Sequence, residues 1–293
     1  MKLSIIIVTY NSEKDIYDCL QSLYRYNDLP QDELEVIVVD NQSRDYETMC
    51  ARLKQDYPAV RVVQNTHNGG YGQGNNVGIR MATAPIVAIM NPDVRLLQPS
   101  FAAMLSCFQD NQVVMCGGKQ MFPNNRLGWS FAGDYNVWWP IRIGMRNLFK
   151  RIDHYDYRFM HLSGAFFMVR KDKFEQIGLF DENLFMYAEE PDIHMRFRKQ
   201  FPQHKMIFLP NLPYLHLSAE REFSEKRFRS VLNGDLYVIR KHGLSPKSYV
   251  RQCICMSYIL QFRAYIQRNN KVTKVCQYQR VLLRKWKNEL IRL

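Results

Sequence analysis

The chain has 293 residues, 46% hydrophobic and 23% charged, the balance of a globular protein with room for a full core. It holds no apolar run near the ~18 residues of a membrane span, and Met1-Lys2-Leu3 leads straight into a strand rather than a signal peptide, so a cytoplasmic location is expected. Seven scattered cysteines without a CxxC pair point away from a zinc site or a disulfide framework. The net charge of +12 is uneven: residues 219–293 carry 17 Lys and Arg against 5 Asp and Glu, whereas residues 1–218 carry 23 of each. That break predicts a domain boundary near residue 220.

In chain order, Leu3-Ser4-Ile5-Ile6-Ile7-Val8-Thr9 is a β-branched run that predicts a first buried strand. Tyr10-Asn11-Ser12 follows as a loop, with Asn11 or Ser12 placed to cap a helix carrying Ile16, Leu20 and Leu23 on one face. Further strands are predicted over residues 35–40, 60–63 and 86–90, with helical stretches between them. The last is apolar throughout and stops at Asn91-Pro92-Asp93, because proline cannot continue a central strand. Strands alternating with helices predict an α/β fold, a Rossmann-like and mostly parallel sheet with helices on both faces. Strand ends in such a sheet share the edge where ligands bind. Thr9-Tyr10-Asn11, Asp40-Asn41, Asn65 and Asn91-Pro92-Asp93 all fall at those ends. A lone Asp after a strand is an ordinary turn or cap residue; the convergence of polar ends is what points to a site.

Between the third and fourth strands, residues 65–78 run Asn-Thr-His-Asn-Gly-Gly-Tyr-Gly-Gln-Gly-Asn-Asn-Val-Gly. A glycine-rich loop entering a helix lets backbone amides approach phosphate oxygens. The spacing is not GxGxxG and no Gly-Lys-Ser/Thr is present, so neither a dinucleotide fingerprint nor a Walker A loop is expected. Placed between polar strand ends, the loop reads as a ligand contact.

Taken in order, Val8-Thr9-Tyr10-Asn11, residues 38–43, Asn68-Gly69-Gly70-Tyr71-Gly72 through Gly78, Asn91-Pro92-Asp93, residues 164–170, residues 178–182, residues 185–192 and His216 resemble the inverting glycosyltransferases of family 2. That family has the GT-A fold, and the match is closest to its rhamnosyltransferase-type branch. The resemblance covers about residues 3–218 and implies a catalytic domain over 1–220, its nucleotide-sugar half about 1–95 and its acceptor half about 96–220. It implies that Thr9, Tyr10, Asn11, Asp40 and Asn41 hold the nucleotide, and that Asn68, Gly69, Gly70, Tyr71, Asn75 and Asn91 help to hold donor and diphosphate. Asp93 would bind Mg²⁺ or Mn²⁺ bridging that diphosphate, and His216 would approach the metal or the diphosphate. Many relatives carry Asp-x-Asp where this chain has Asn91-Pro92-Asp93, which leaves a single acidic ligand at that motif.

Glu189-Glu190-Pro191-Asp192 is a second acidic centre, where the family commonly has Glu-Asp with the second acid as base. Position by position the base falls on Glu190, with Glu189 as the alternative. Inverting transfer is one displacement and needs one base at the acceptor hydroxyl. Without the family, the same residues read as a solvated helix start favouring the dipole's positive end. Gly164, Trp138 and Trp139 are acceptor candidates, the tryptophans because rings stack on sugar faces, although aromatics more often fill cores. His161, His194 and the other scattered histidines have no metal-like spacing and are expected in the core or on the surface. From residue 221 the chain turns helical, basic and aromatic. This extension is either an appendage packed on the catalytic domain or a peripheral anchor on an anionic membrane surface; it carries no nucleic-acid recognition motif. The expected partners are a nucleotide-diphosphate sugar and a glycan or lipid-linked saccharide acceptor in surface polysaccharide biosynthesis. A non-catalytic sugar-binding protein and a sugar-nucleotide nucleotidyltransferase are the alternatives, the latter lacking its basic glycine loop after the first strand.

Overall fold

A computed structural model describes residues 1–137, 142, 148–217 and 223–292. The chain forms two units: Met1–Asp134 with Ile141–Ala219, and Tyr135–Pro140 with Glu220–Leu293.

The first unit is built on β1 (Leu3–Thr9), β2 (Leu34–Asp40), β3 (Val60–Gln64) and β4 (Ile86–Met90), paired in parallel in the order β3-β2-β1-β4. The chain leaves β3 on one side of β1 and re-enters as β4 on the other. That reversal opens a crevice between the ends of β1 and β4, the switch point where open α/β sheets bind ligands. The sheet continues through β5 (Val94–Leu96), β6 (Val113–Phe122), β10 (Phe166–Arg170) and β11 (Lys205–His216) in the order β4-β10-β6-β11-β5. The short β7 (Arg126–Leu127) pairs with β6, while β8 (Phe131–Gly133) and β9 (Met160–Leu162) form a separate ribbon. β10 runs antiparallel to both β4 and β6, and β11 antiparallel to β5, so the sheet is mixed. The apolar runs beyond residue 96 signal strands without signalling direction, which is why the sequence conveys only the parallel half.

Both faces of the sheet are covered, as the alternation of β1 requires. Leu3, Ile5 and Ile7 join Ile16, Cys19, Leu20 and Leu23 of α1 (Glu13–Arg25), Met49 and Leu53 of α2 (Tyr46–Asp56) and Phe101 and Met104 of α4 (Phe101–Ser106) in one core. The α1 residues recur at the spacing of a single helix face. On the opposite face lies α3 (Gly70–Met81): a Cβ on its Gly78 would stand 2.5 Å from Ile6. α5 (Lys171–Gln176) and α6 (Glu189–Gln200) complete the unit.

At the edge opposite the site, buried Glu35 locks strand register. Its carboxylate accepts from the Ser4 hydroxyl of β1 at 2.5 Å, the Thr83 amide at 2.9 Å and the Arg61 guanidinium of β3 at 2.9 Å. Register set there brings Thr9 beside Asp40 at the other end.

The second unit holds α7 (Glu225–Lys241), α8 (Pro246–Ile266) and α9 (Asn270–Arg292). Ser224 and Ser245 cap α7 and α8, and Pro246 opens α8 where a missing N–H costs nothing. Leu232, Leu236, Ile239, Tyr249, Val250, Leu282, Leu283 and Trp286 make its core. Asp235 accepts from Tyr249 and, at 2.5 Å, from Tyr135, which accounts for the excursion of residues near 135 into this unit.

Burial pushes the Glu35 carboxyl up, but its hydrogen bonds from Ser4, Thr83 and Arg61 outweigh it and hold the pKa below the ordinary value. A depressed pKa adds stability above the carboxylate range that is lost as pH falls through the folded value. Glu35→Gln is therefore expected to cost about 1–3 kcal/mol at neutral pH, with the gap to wild type closing in acid. Urea denaturation at both pH values checks this, and a gap independent of pH would refute it.

Candidate active site

Thr9 and Asp40 are neighbours across β1 and β2, and both are fully buried. One Asp40 oxygen accepts from the Ser43 amide at 2.8 Å; its Oδ1 and the Thr9 Oγ1 have no partner among the described residues. A buried carboxylate oxygen without a donor is costly, and a ligand's N–H or hydroxyl would satisfy it. Asn11 and Gln42 hold left-handed backbone, with φ of 49° and 67°. The Asn11 amide donates to Ser43 Oγ at 2.8 Å and the Arg44 amide donates to Asn11 Oδ1 at 3.0 Å, tying the two strand-end loops together beneath an exposed Tyr10.

Asn41 turns inward instead. Its Nδ2 donates to the Gly70 carbonyl at 2.9 Å and its Oδ1 accepts from Asn65 at 2.9 Å, so it fastens β2 to the start of α3. Gly70 has φ of +90°, and a Cβ there would sit 1.9 Å from the Phe185 carbonyl oxygen. The Tyr71 amide donates to that same carbonyl at 2.9 Å, and the Tyr71 hydroxyl donates to the Gly164 carbonyl at 2.7 Å. Gly70 and Tyr71 of the glycine loop dock the 178–188 segment against α3. Asn68 accepts from the Gly70 amide at 3.1 Å, Gly69 packs against Gln73, and Asn75 keeps a buried Oδ1 without a partner.

Asp93 stands at the end of β4, where the Asn91 amide donates to the Ala165 carbonyl at 2.9 Å. The pairing of β5 with β11 sets Val94 opposite His216, leaving His216 Nε2 3.2 Å from Asp93 Oδ1. Burial pushes the Asp93 carboxyl up, but the hydrogen bond and charge of His216 more than offset it and hold it below the usual range. His216 Nδ1 is buried without a partner.

Tyr187 and Ala188 both have left-handed backbone, φ 78° and 72°, immediately before Glu189 opens α6. Such conformations cost about 1–3 kcal/mol each and cluster at functional sites. Glu189 is buried, its Oε1 without a partner, and burial followed by the charge of Glu190 raises its carboxyl well above the carboxylate range. Glu190 is half-buried and its Oε1 accepts from the Gly164 amide at 3.1 Å. A Cβ on Gly164 would lie 2.7 Å from that oxygen. Burial raises the Tyr71 and Tyr214 hydroxyls, and the charges of Glu190 and Asp93 add to both. The charges of both acidic centres thus reach the same two hydroxyls.

His194, one of the histidines expected in the core or on the surface, is buried. It also does more: on α6, one turn past Glu190, its Nδ1 donates to the Glu190 carbonyl at 2.8 Å and its Nε2 accepts from the Leu162 amide at 3.0 Å. Burial, then the charges of His161 and Arg198, push it down to about 3, so the ring stays neutral. Beneath it, fully buried Asp134 pairs with His161 at 2.7 Å and with Arg198. The spacing of His194 four residues after Glu190 was the available signal. Asp192 pairs with Arg196 of its own helix at 2.7 Å. Trp138 and Trp139 lie outside the described residues.

The family model for glycosyl transferase family 2 matches residues 4–178, and the chain belongs to that family. It is 27% identical over 212 residues to the low-salt glycan biosynthesis hexosyltransferase Agl10 of Haloferax volcanii, a match that covers 68% of this chain but only 62% of Agl10. It is 22% identical over 264 residues to the rhamnosyltransferase WbbL of Escherichia coli K12, covering 84% of this chain and 96% of WbbL. Among solved structures, the mannosyltransferase PcManGT from Pyrobaculum calidifontis, in complex with GDP-Man and Mn²⁺, superposes with a TM-score of 0.62 at 19% identity. That superposition covers 82% of this chain and 63% of PcManGT. The shared architecture is the GT-A fold, with the helical C-terminal region added to it.

A raised Glu189 pKa means that the native state keeps a proton the unfolded chain has released above its ordinary value of 4.5. Stability is therefore full below that value and falls as pH rises through the folded pKa, at up to about 1.4 kcal/mol per pH unit. Glu189→Gln is expected to remove this decline and to be the more stable form at alkaline pH. Urea midpoints followed from pH 4.5 to just past the folded value of about 8 measure it; parallel curves for the two proteins across that window would show that Glu189 is not held protonated.

Proposed function

We propose that the chain is an inverting glycosyltransferase that moves rhamnose or another hexose from a nucleotide-diphosphate donor to a hydroxyl of a glycan or lipid-linked saccharide, in surface polysaccharide biosynthesis. The observation that carries this reading is Glu190, held by the Gly164 amide one residue before the Ala165 carbonyl that accepts from Asn91 ahead of Asp93. Family membership and the hexosyltransferase and rhamnosyltransferase relatives support it.

In this reading the unpartnered oxygens of Asp40 and Thr9 take hydrogen bonds from the nucleotide's base or ribose. The acceptor oxygen bonds to the anomeric carbon, the bond from that carbon to the diphosphate oxygen breaks, and its electron pair leaves with the diphosphate. The acceptor proton passes to Glu190. Its longer reach than the family's usual Asp is matched by the Gly164 amide, which fixes one oxygen and leaves the other for the proton. Glu189, buried and proton-bearing, is the poorer base and shields Glu190 from a second negative charge.

Among the described residues no group of three or more His, Cys, Asp or Glu could hold a metal by itself. Asp93 with His216 nonetheless fits a divalent ion that draws its remaining ligands from the diphosphate, Asp93 supplying oxygen and His216 nitrogen. Mg²⁺ or Mn²⁺, when bound, supplies charge neutralisation on the leaving group. The reading sets the reaction on the cytoplasmic face of a membrane, peripherally. No described helix is long and apolar enough to cross one.

A thermal-shift panel of nucleotide diphosphates and sugars with Mg²⁺, Mn²⁺ or chelator tests the donor site, since a ligand of the native state raises its melting temperature. One nucleotide family should shift it in a metal-dependent way; no shift with any of them would sink the reading. Asp93→Ala is expected to keep the fold and abolish the metal dependence of that shift, and an unchanged dependence would take Asp93 out of its role. Glu190→Gln should keep the donor shift and lose transfer by about 10²–10⁴-fold. Near-normal turnover would move the base elsewhere.

A further inference from the structure

The second unit presents an exposed apolar stripe, at whose start the Arg280 guanidinium stacks on the Tyr258 ring at 3.9 Å and Arg284 donates to its hydroxyl at 2.5 Å. On α8, Tyr258, Ile259, Phe262, Tyr265 and Ile266 are 46%, 45%, 67%, 75% and 65% exposed. Their spacing of one, four, seven and eight residues from Tyr258 puts all five on a single helix face. The opposite face is spent: Tyr249, Val250, Ser257 and Ala264 are buried, two of them in the core of this unit. Five large apolar side chains in one exposed stripe are more than the scattered exposure of an ordinary surface, and such a patch marks an interaction site.

Charge selects the occupant. Between Asp235 and Glu289 there are 12 Lys and Arg and not one Asp or Glu. Lys247 and Arg251 lie on the same side of α8 as the stripe, one to three turns before it, and are exposed; Arg263 borders it and is exposed too. Beyond the helix end, Arg268 and Lys274 are exposed, and Val272 beside them is 40% exposed. A protein partner would need a long acidic complement to a run of this size. A bilayer containing anionic lipid supplies apolar depth and negative charge together, and aromatic residues suit the boundary between them. The helix is too polar to cross a membrane, so it lies in the plane of the interface.

We propose that the α8 stripe is an in-plane docking face for anionic lipid, with Phe262, Tyr265 and Ile266 entering the headgroup layer and the flanking arginines and lysines contacting phosphates. The proposal deepens the peripheral location in the reading above, and its test uses neither donor nor acceptor, so it fails or stands apart from glycosyl transfer.

The full chain is sedimented with vesicles of phosphatidylcholine alone and of phosphatidylcholine mixed with phosphatidylglycerol, at low and high salt. Wild type is expected to bind only the mixed vesicles and to weaken with salt. Arg263→Glu with Arg268→Glu should weaken binding by tenfold or more, since each basic residue near such a surface contributes about fivefold. Phe262→Ser with Tyr265→Ser should weaken it comparably, with melting temperature unchanged because both side chains are exposed. No binding by wild type, equal binding to neutral vesicles, or undiminished binding by both double variants would each overturn the proposal. So would a wild-type dimer, seen by light scattering, that the aromatic variant converts to monomer, because the stripe would then be occupied by a second copy.

Discussion

The contact between Gly164 and Glu190 is the constraint on which the site depends. The amide of this residue donates to the acid, its carbonyl accepts from Tyr71, and the next carbonyl, of Ala165, accepts from Asn91 just before Asp93. Three separate stretches of chain meet on the backbone of two consecutive residues. A side chain at position 164 would displace the acid, since even a methyl group would press on it at 2.7 Å. Backbone groups are the stiffest donors and acceptors a protein has, and a site fastened by them keeps its spacing through side-chain motion. The left-handed pair Tyr187–Ala188 belongs to the same logic: strain stored just before α6 aims two adjacent acids, one into the protein and one toward the open side.

The two carboxylates divide by environment rather than by chemistry. Glu189 loses its water and keeps its proton; Glu190 retains partial exposure and an amide donor. A comparable division holds along the sheet edge, where Asn41 and Asn65 satisfy each other while Asp40, Thr9 and Asn75 retain unpaired buried oxygens. Native proteins rarely leave such atoms unpaired. Thr9 and Asp40, side by side at the ends of β1 and β2, mark where an incoming ligand would recover the lost hydrogen bonds.

Much of this arrangement was legible in the chain itself. Strands β1 to β4 and the polar residues at their ends follow from β-branched runs punctuated by Asn, Asp and Pro, because local pattern and buried parallel pairing coincide there. The family motifs singled out Asp93, His216 and Glu190. Less legible was the use of the glycines. Gly70 looks from sequence like a phosphate-approach residue, yet it yields its space to a carbonyl 115 positions away, a choice made by tertiary packing. The histidine-aspartate-arginine cluster under α6 was invisible for the same reason: Asp134, His161, His194 and Arg198 have no shared periodicity and meet only once β8, β9 and α6 are assembled.

Because Phe185 keys its segment to α3 through a carbonyl, the attachment is indifferent to which side chain position 185 carries. Phe185 and Met186 are 54% and 41% exposed, on a turn whose backbone is already held at Gly70 and Tyr71. Evolution can rewrite such residues without loosening the acids that follow them. A fold mounted this way separates the part that must stay constant from the part that can diversify, and one catalytic frame can serve many different recipients.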